Sequence, residues 1–292
     1  MRPTFLYPET LSEAVQMLAE YGQRACLIVG SESPPPGMSP ADVFIDIGHL
    51  AELAGIHQLG GKVIVGANTP HSLVARSSLI RTHGACLAEA SEEAHHPFAS
   101  VLAYDFHPAE GFPATVLALF ALDAEIESAW LDGDGGEQRR WSPIDALWNP
   151  AIIWETRLAL VVRFSAGGRP SGSALITVNP PPGTDAFIQA AAARLTLSPD
   201  QRIITDAKIA VSPTIGAPFA SPTAAARLLG ETPTPATIEQ AAQTALAEAR
   251  VHFSPAALLT STYPIDLVAH LTRRALDKAL ARALNKASAA RL

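Results

Sequence analysis

Two glycine-rich turns restrict what this chain can become more than any other feature. Gly60-Gly61 separates the strand-like runs 55–59 and 62–66, and Asp132-Gly133-Asp134-Gly135-Gly136 separates 124–131 from 138–142. Apolar alternating runs joined through residues that tolerate positive φ make hairpins, so the chain carries antiparallel sheet. Neither cluster opens a helix, so both read as turns and not as phosphate cradles.

Around these hairpins the pattern alternates between strand and helix. Thr10-Leu11-Ser12-Glu13 reads as a capping box, followed by Leu11, Val15, Leu18 and Ala19 at helical spacing and by Gly22 as a stop. Residues 26–29 and 43–47 read as short apolar strands on either side of the Pro34-Pro35-Pro36-Gly37 loop. Thr69-Pro70 reads as an N-cap with a proline at the first helical position, opening helical pattern to about residue 94. Residues 158–164 form a strand rich in Val and Leu, and Gly167-Gly168-Arg169-Pro170 marks a boundary. Beyond it, 203–211 reads as strand and 222–230, 235–250 and 264–285 as helices. Residues 190–197 are ambiguous, with a composition that favours helix.

Composition excludes several classes of function. Of 292 residues, 48% are hydrophobic and 17% charged, and the net charge is −7, so the chain buries a large core and offers no basic patch for nucleic acid. The most basic stretch, Arg273, Arg274, Lys278, Arg282 and Lys286, reads as a solvated helix face. The two cysteines, Cys26 and Cys86, sit in apolar runs and read as buried reduced thiols; two cannot ligate an ordinary iron–sulfur cluster. No leader-like start and no run near the ~20 apolar residues of a membrane span is present, so a cytoplasmic setting is expected.

Several segments, in order, resemble the FAD-binding medium subunits of the molybdenum hydroxylases, the family of carbon monoxide dehydrogenase and xanthine dehydrogenase. They are Phe5-Leu6-Tyr7-Pro8-Glu9-Thr10, Phe44-Ile45-Asp46-Ile47 with Glu52-Leu53-Ala54-Gly55-Ile56, Val63-Ile64-Val65-Gly66-Ala67-Asn68-Thr69, Ala121-Leu122-Asp123-Ala124, the stretch 224–230, and Ser261-Thr262-Tyr263 with Arg273-Arg274-Ala275-Leu276. Each is weakly specific; their order and spacing are not. The resemblance implies an α+β chain. A two-part N-terminal FAD-binding (PCMH-type) α/β domain would span 1–168, with subdomains of about 1–56 and 57–168. A C-terminal domain, 169–292, would combine a three-stranded antiparallel sheet with a helical bundle, making 190–197 a strand. The resemblance also implies FAD as cofactor, partners carrying molybdenum and iron–sulfur clusters, and electron transfer from them to an acceptor. Catalytic chemistry would lie on another subunit.

The resemblance places the first flavin loop at Val29, Gly30, Ser31, Glu32 and Ser33, continuing to Pro34, with Gly66 and Ala67 at a nearby strand end. Here the residues depart from the family's Ala-Gly-Gly-Thr-Asp-Leu-like pattern, because only Gly30 keeps a family glycine. A diphosphate is held by converging backbone N–H groups, which glycine allows to approach. Ser31 adds a side chain. Glu32 brings a carboxylate toward two phosphates, a repulsion of roughly 1–4 kcal/mol at ~4 Å depending on solvation. Pro34, Pro35 and Pro36 have no N–H to give. The interval holding the family's second loop, 95–112, has no Gly-Gly.

Other constellations carry less. Glu92, Glu93, His95, His96, Asp105 and His107 lack zinc-motif spacing and read as a polar loop. Trp130, Trp141, Trp148 and Trp154 read as core around the second hairpin. No Gly-x-Ser-x-Gly elbow occurs. Two functions therefore remain: a flavoprotein electron-transfer subunit, or a flavin-less paralogue with a structural or subunit-interaction role.

Overall fold

The computed structural model describes residues 3–29, 42–93, 114–148, 156–178, 189–212, 218–253 and 265–289. Three sheets organise them. The first is parallel, with β1 (Thr4–Leu6) and β2 (Ala25–Ile28) on either side of β3 (Val43–Asp46). Helix α1 (Leu11–Tyr21) lies between this sheet and the next. Its Leu11, Ala14, Val15 and Leu18 pack with Val43 and Ile45 of the first sheet and Ala129, Leu158 and Leu160 of the second. The helix begins where Thr10 Oγ1 accepts the Glu13 N–H and ends at Gly22, whose φ of 51° few other residues adopt. The Glu13 carboxylate reaches back to the N–H of Glu9, one residue before the position a capping box uses.

The second sheet is antiparallel and five-stranded, in the order β4-β5-β8-β6-β7. It comprises β4 (Ile56–Leu59), β5 (Lys62–Gly66), β6 (Glu125–Leu131), β7 (Glu137–Pro143) and β8 (Leu158–Ser165). Both expected hairpins form, with Gly60, Gly61 and Gly135 at positive φ. The register of β6 against β8 shifts, so that Glu127 faces Val161 and Ser128 faces Ala159. The extra residue in β8 is a bulge, and it lets both Leu160 and Val161 reach the α1 cluster while Val162 and Phe164 point to the opposite face.

That opposite face is covered by α2 (His71–Arg76), α3 (Ser78–His83), α4 (Ala85–Glu92) and α5 (Ala114–Ala121). Helix α5 is buried on nearly every side, as a helix must be when apolar all round. One local expectation is corrected here. Thr69 does not cap α2; its Oγ1 bonds instead to the N–H and the C=O of Gly55, so Pro70 becomes the cap and the helix starts at His71.

The third sheet contains β9 (Ser171–Val178), β10 (Gln189–Leu197), β11 (Ile204–Ser212) and the two-residue β12 (Phe219–Ala220). It is antiparallel, and β12 makes four strands where three were expected. Residues 190–197 are strand, against their helix-favouring composition. Ala191, Ala193 and Leu195 face the C-terminal helices, whereas Ala190 and Ala192 face the α4–α5 core. Small side chains on both faces admit helices from both sides, and this packing overrides propensity. The helices are α6 (Pro222–Ala226), shorter than expected, α7 (Pro235–His252) and α8 (Leu267–Ala289).

Two further expectations are corrected. The basic face of α8 is not merely solvated, since Lys278 and Arg282 both grip Glu89 of α4 at 2.6 Å. Trp130 and Trp141 are not core residues; each is half-buried with a guanidinium over its ring, Arg157 at 3.7 Å and Arg163 at 3.8 Å. The side chains of Trp148 and Trp154 lie outside the described residues.

Neither cysteine forms a disulfide and both are buried, as the sequence implied. Burial raises the pKa of Cys26 to about 11 and that of Cys86 to about 12. Native protein is therefore expected to leave both cysteines unlabelled by a thiol-specific disulfide reagent at neutral pH and to release two equivalents on unfolding; rapid native labelling would contradict this packing. Among the described residues no helix is long and apolar enough to cross a membrane, and no group of three or more His, Cys, Asp or Glu is placed to hold a metal. His95, His96, Asp105 and His107 lie outside the described residues.

Candidate functional site

The carboxyl ends of β2 and β3 and the end of β5 meet at one edge of the molecule. Ligands of α/β folds sit at such strand ends, where backbone groups run out of sheet partners. The Ile47 N–H donates to Ile28 O at 2.9 Å, joining the first two ends. Asn68 ties in the third: its Nδ2 donates to Ile47 O at 2.6 Å, and its own N–H donates to Leu53 O at 2.7 Å. Asp46, buried at the tip of β3, turns the chain by accepting the Gly48 N–H on Oδ1 at 2.9 Å.

The expected flavin positions divide across this edge. Val29 follows β2 directly. Gly30, Ser31, Glu32 and Ser33 lie outside the described residues, as does 95–112. Gly66 ends β5 and Ala67 follows it, and each donates its N–H internally at 2.9 Å, to Gly55 O and Leu160 O. The next two N–H groups, of Asn68 and Thr69, go to Leu53 O and Gly66 O. With Ile47 and Gly48 counted, six consecutive-end amides are consumed within the protein. Glycine at 66 has a packing cause as well. A Cβ there would stand 2.3 Å from Leu53 O and 2.6 Å from Leu53 C. Gly66→Ala is thus expected to cost about 2 kcal/mol, read as a lower urea midpoint, because the obstacle is backbone and cannot rotate away.

One acceptor remains over. Asn68 is 5% exposed, and its Oδ1 is buried with no hydrogen-bond partner among the described residues. Reading the sequence missed Asn68 as the residue that ties the strand ends together. Its only signal was its place directly after the strand-end Gly66-Ala67 pair.

A diphosphate needs several N–H donors converging on it. The six amides followed here, of Ile47, Gly48, Gly66, Ala67, Asn68 and Thr69, all donate within the protein, while 30–41 and 94–113 lie outside the described residues. Among residues 30–34, four of the five carry a side chain or lack an N–H.

Comparison with known proteins fixes the lineage. The family model for the FAD binding domain in molybdopterin dehydrogenase matches residues 2–101, and that for the CO dehydrogenase flavoprotein C-terminal domain matches residues 181–279. In structure the chain resembles carbon monoxide dehydrogenase from Hydrogenophaga pseudoflava, with a TM-score of 0.81 at 24% identity, covering 97% of this chain and 98% of the other. It also resembles quinoline 2-oxidoreductase from Pseudomonas putida 86, with a TM-score of 0.75 at 18% identity, covering 98% of each. The fold is that of a molybdenum-hydroxylase flavoprotein subunit. The carbon monoxide dehydrogenase medium chain of Hydrogenophaga pseudoflava is 26% identical over 298 residues, spanning 96% of this chain and 98% of that one. The chain belongs to the family of FAD-binding medium subunits of molybdenum hydroxylases.

Proposed function

We propose that this chain is a medium-subunit homologue whose flavin cleft no longer builds a diphosphate cradle, and that it serves a hydroxylase assembly through subunit contacts. The observation that carries this reading is the use of every amide from Gly66 to Thr69, and of Ile47 and Gly48, inside the protein. Ser31, Glu32 and Pro34 add to it, since each removes a close approach, a neutral surface or a donor. The partners of this reading are molybdenum-binding and iron–sulfur subunits. The domain limits that go with it are 1–168 and 169–292, and the setting is cytoplasmic.

A tagged chain recovered from its native cells tests the role. Co-purification of protein-bound molybdenum and iron is the expected result; a chain recovered alone, free of both metals, contradicts it.

A second reading, favoured by the buried Oδ1 of Asn68, which has no partner among the described residues, keeps the family's usual chemistry. FAD would then lie along Val29, Gly30, Ser31, Glu32, Ser33, Gly66 and Ala67, and the protein would pass electrons from its partners to an acceptor.

A further inference from the structure

The third sheet has one face of two characters. Along β9, β10 and β11, Leu175, Ala190, Ala192 and Ala210 pack into the α4–α5 core. Further along that same face the row becomes Ser171, Arg194, Thr196 and Asp206, which no core covers. These residues form one wall of a cleft of about 270 Å³. The opposite wall is His83, at the end of α3, with Ser165 and the Gly167-Gly168-Arg169 connection between β8 and β9. Ser165 pairs with Lys62 at the start of β5, whereas Gly66 ends that strand. The cleft is thus about 13 Å along the sheet from the flavin edge and separate from it.

Its chemistry is that of an anion site. Arg194 is held in place, donating to Leu122 O at 3.0 Å and to Asp206 Oδ2 at 2.7 Å. Arg169 is exposed and makes no ion pair among the described residues, so a guanidinium fork stands available at the rim. Ser165 Oγ accepts the Gly167 N–H, which leaves its own proton to donate. Burial, and after it the charge of nearby Lys286, lowers the His83 pKa, so the imidazole itself adds no positive charge to the lining. Asp206 is the single carboxylate in the lining, and it is spent on Arg194. In a chain of net charge −7, the lining thus keeps one uncompensated positive charge, that of Arg169, beside the Ser165 and Thr196 hydroxyls.

We propose that this cleft binds a small oxyanion, a phosphate or carboxylate group, with Arg169 as its principal ligand and the hydroxyls of Ser165 and Thr196 beside it. The volume admits a free anion or the end group of a small metabolite, not a dinucleotide.

Calorimetric titration of the full chain at low ionic strength, with inorganic phosphate, with succinate and with choline chloride, tests this. Saturable phosphate binding in the range of about 1 mM is expected, weakened about tenfold by Arg169→Ala. Arg139→Ala removes another exposed arginine, on β7, and is expected to leave the affinity unchanged. Binding of succinate alone would narrow the class to carboxylates and still support the site. Absence of saturable binding by both anions, equal loss in the two arginine variants, or preference for choline would overturn it.

Discussion

Replacing Glu89 with alanine is expected to cost roughly 3 kcal/mol and to lower the melting temperature by about 5–10 °C. Glu89 stands on α4, with its side chain only 17% exposed, yet it accepts from Lys278 and Arg282 of α8 and from the Leu175 N–H of β9. It therefore fastens the N-terminal helices to the C-terminal sheet and its last helix. Removal strands the Leu175 N–H and leaves two cations facing each other. Both cations reach solvent, at 44% and 33% exposure, which keeps the cost at the lower end for a buried ion pair. Burial alone would raise the Glu89 pKa, but the hydrogen bonds from Arg282, Lys278 and Leu175 outweigh it and hold the carboxyl below its ordinary value of 4.5. A depressed carboxylate stabilises the fold above its unfolded pKa, and that contribution is lost as pH falls through the folded pKa. The gap between wild type and Glu89→Ala should therefore be full at neutral pH and narrow below about pH 4.5. A gap that stays constant from neutral to acid pH would show that Glu89 acts by packing alone.

Gly172→Val is expected to be at least as damaging, at about 3 kcal/mol or more. Gly172 lies in β9 directly under α8. A Cβ there would meet Ala279 O at 2.1 Å, Ala283 N at 2.7 Å and Arg282 Cβ at 2.8 Å. Two of these are helix backbone, so the clash is relieved only by lifting α8 from the sheet. That movement would also pull Arg282 from Glu89, which couples the two sites. Gly133→Ala is the control: a Cβ there meets nothing within 4 Å, and its change in stability should lie within about 0.5 kcal/mol. A wild-type urea midpoint for Gly172→Val would mean that α8 does not rest on β9 as described.

What the sequence revealed follows from where the governing contacts lie. The two hairpins and α1 were legible because Gly60, Gly61, Gly135, Thr10 and Gly22 act on neighbours a few residues away. The strand over 190–197 was legible only through family resemblance, because the cause of its conformation is two helical layers distant in the chain. Thr69 looked like a cap until Gly55, fourteen residues earlier, claimed its hydroxyl. Glu89 gave no signal at all, since Arg282 is 193 residues away. At the candidate site, the identities of Val29, Gly66 and Ala67 could be read directly. The commitment of the Gly66 and Ala67 amides could not, because it depends on Gly55 and Leu160. Asn68, which ties the strand ends together, was hidden for the same reason.

The absorbance spectrum of purified protein, recorded before and after incubation with excess FAD and removal of the unbound excess, tests most directly whether this cleft has lost its cofactor. The spent amides at Gly66–Thr69 and the side chains of Ser31 and Glu32 predict a colourless protein in both samples. A yellow protein retaining one flavin per chain would contradict that prediction and restore the electron-transfer reading.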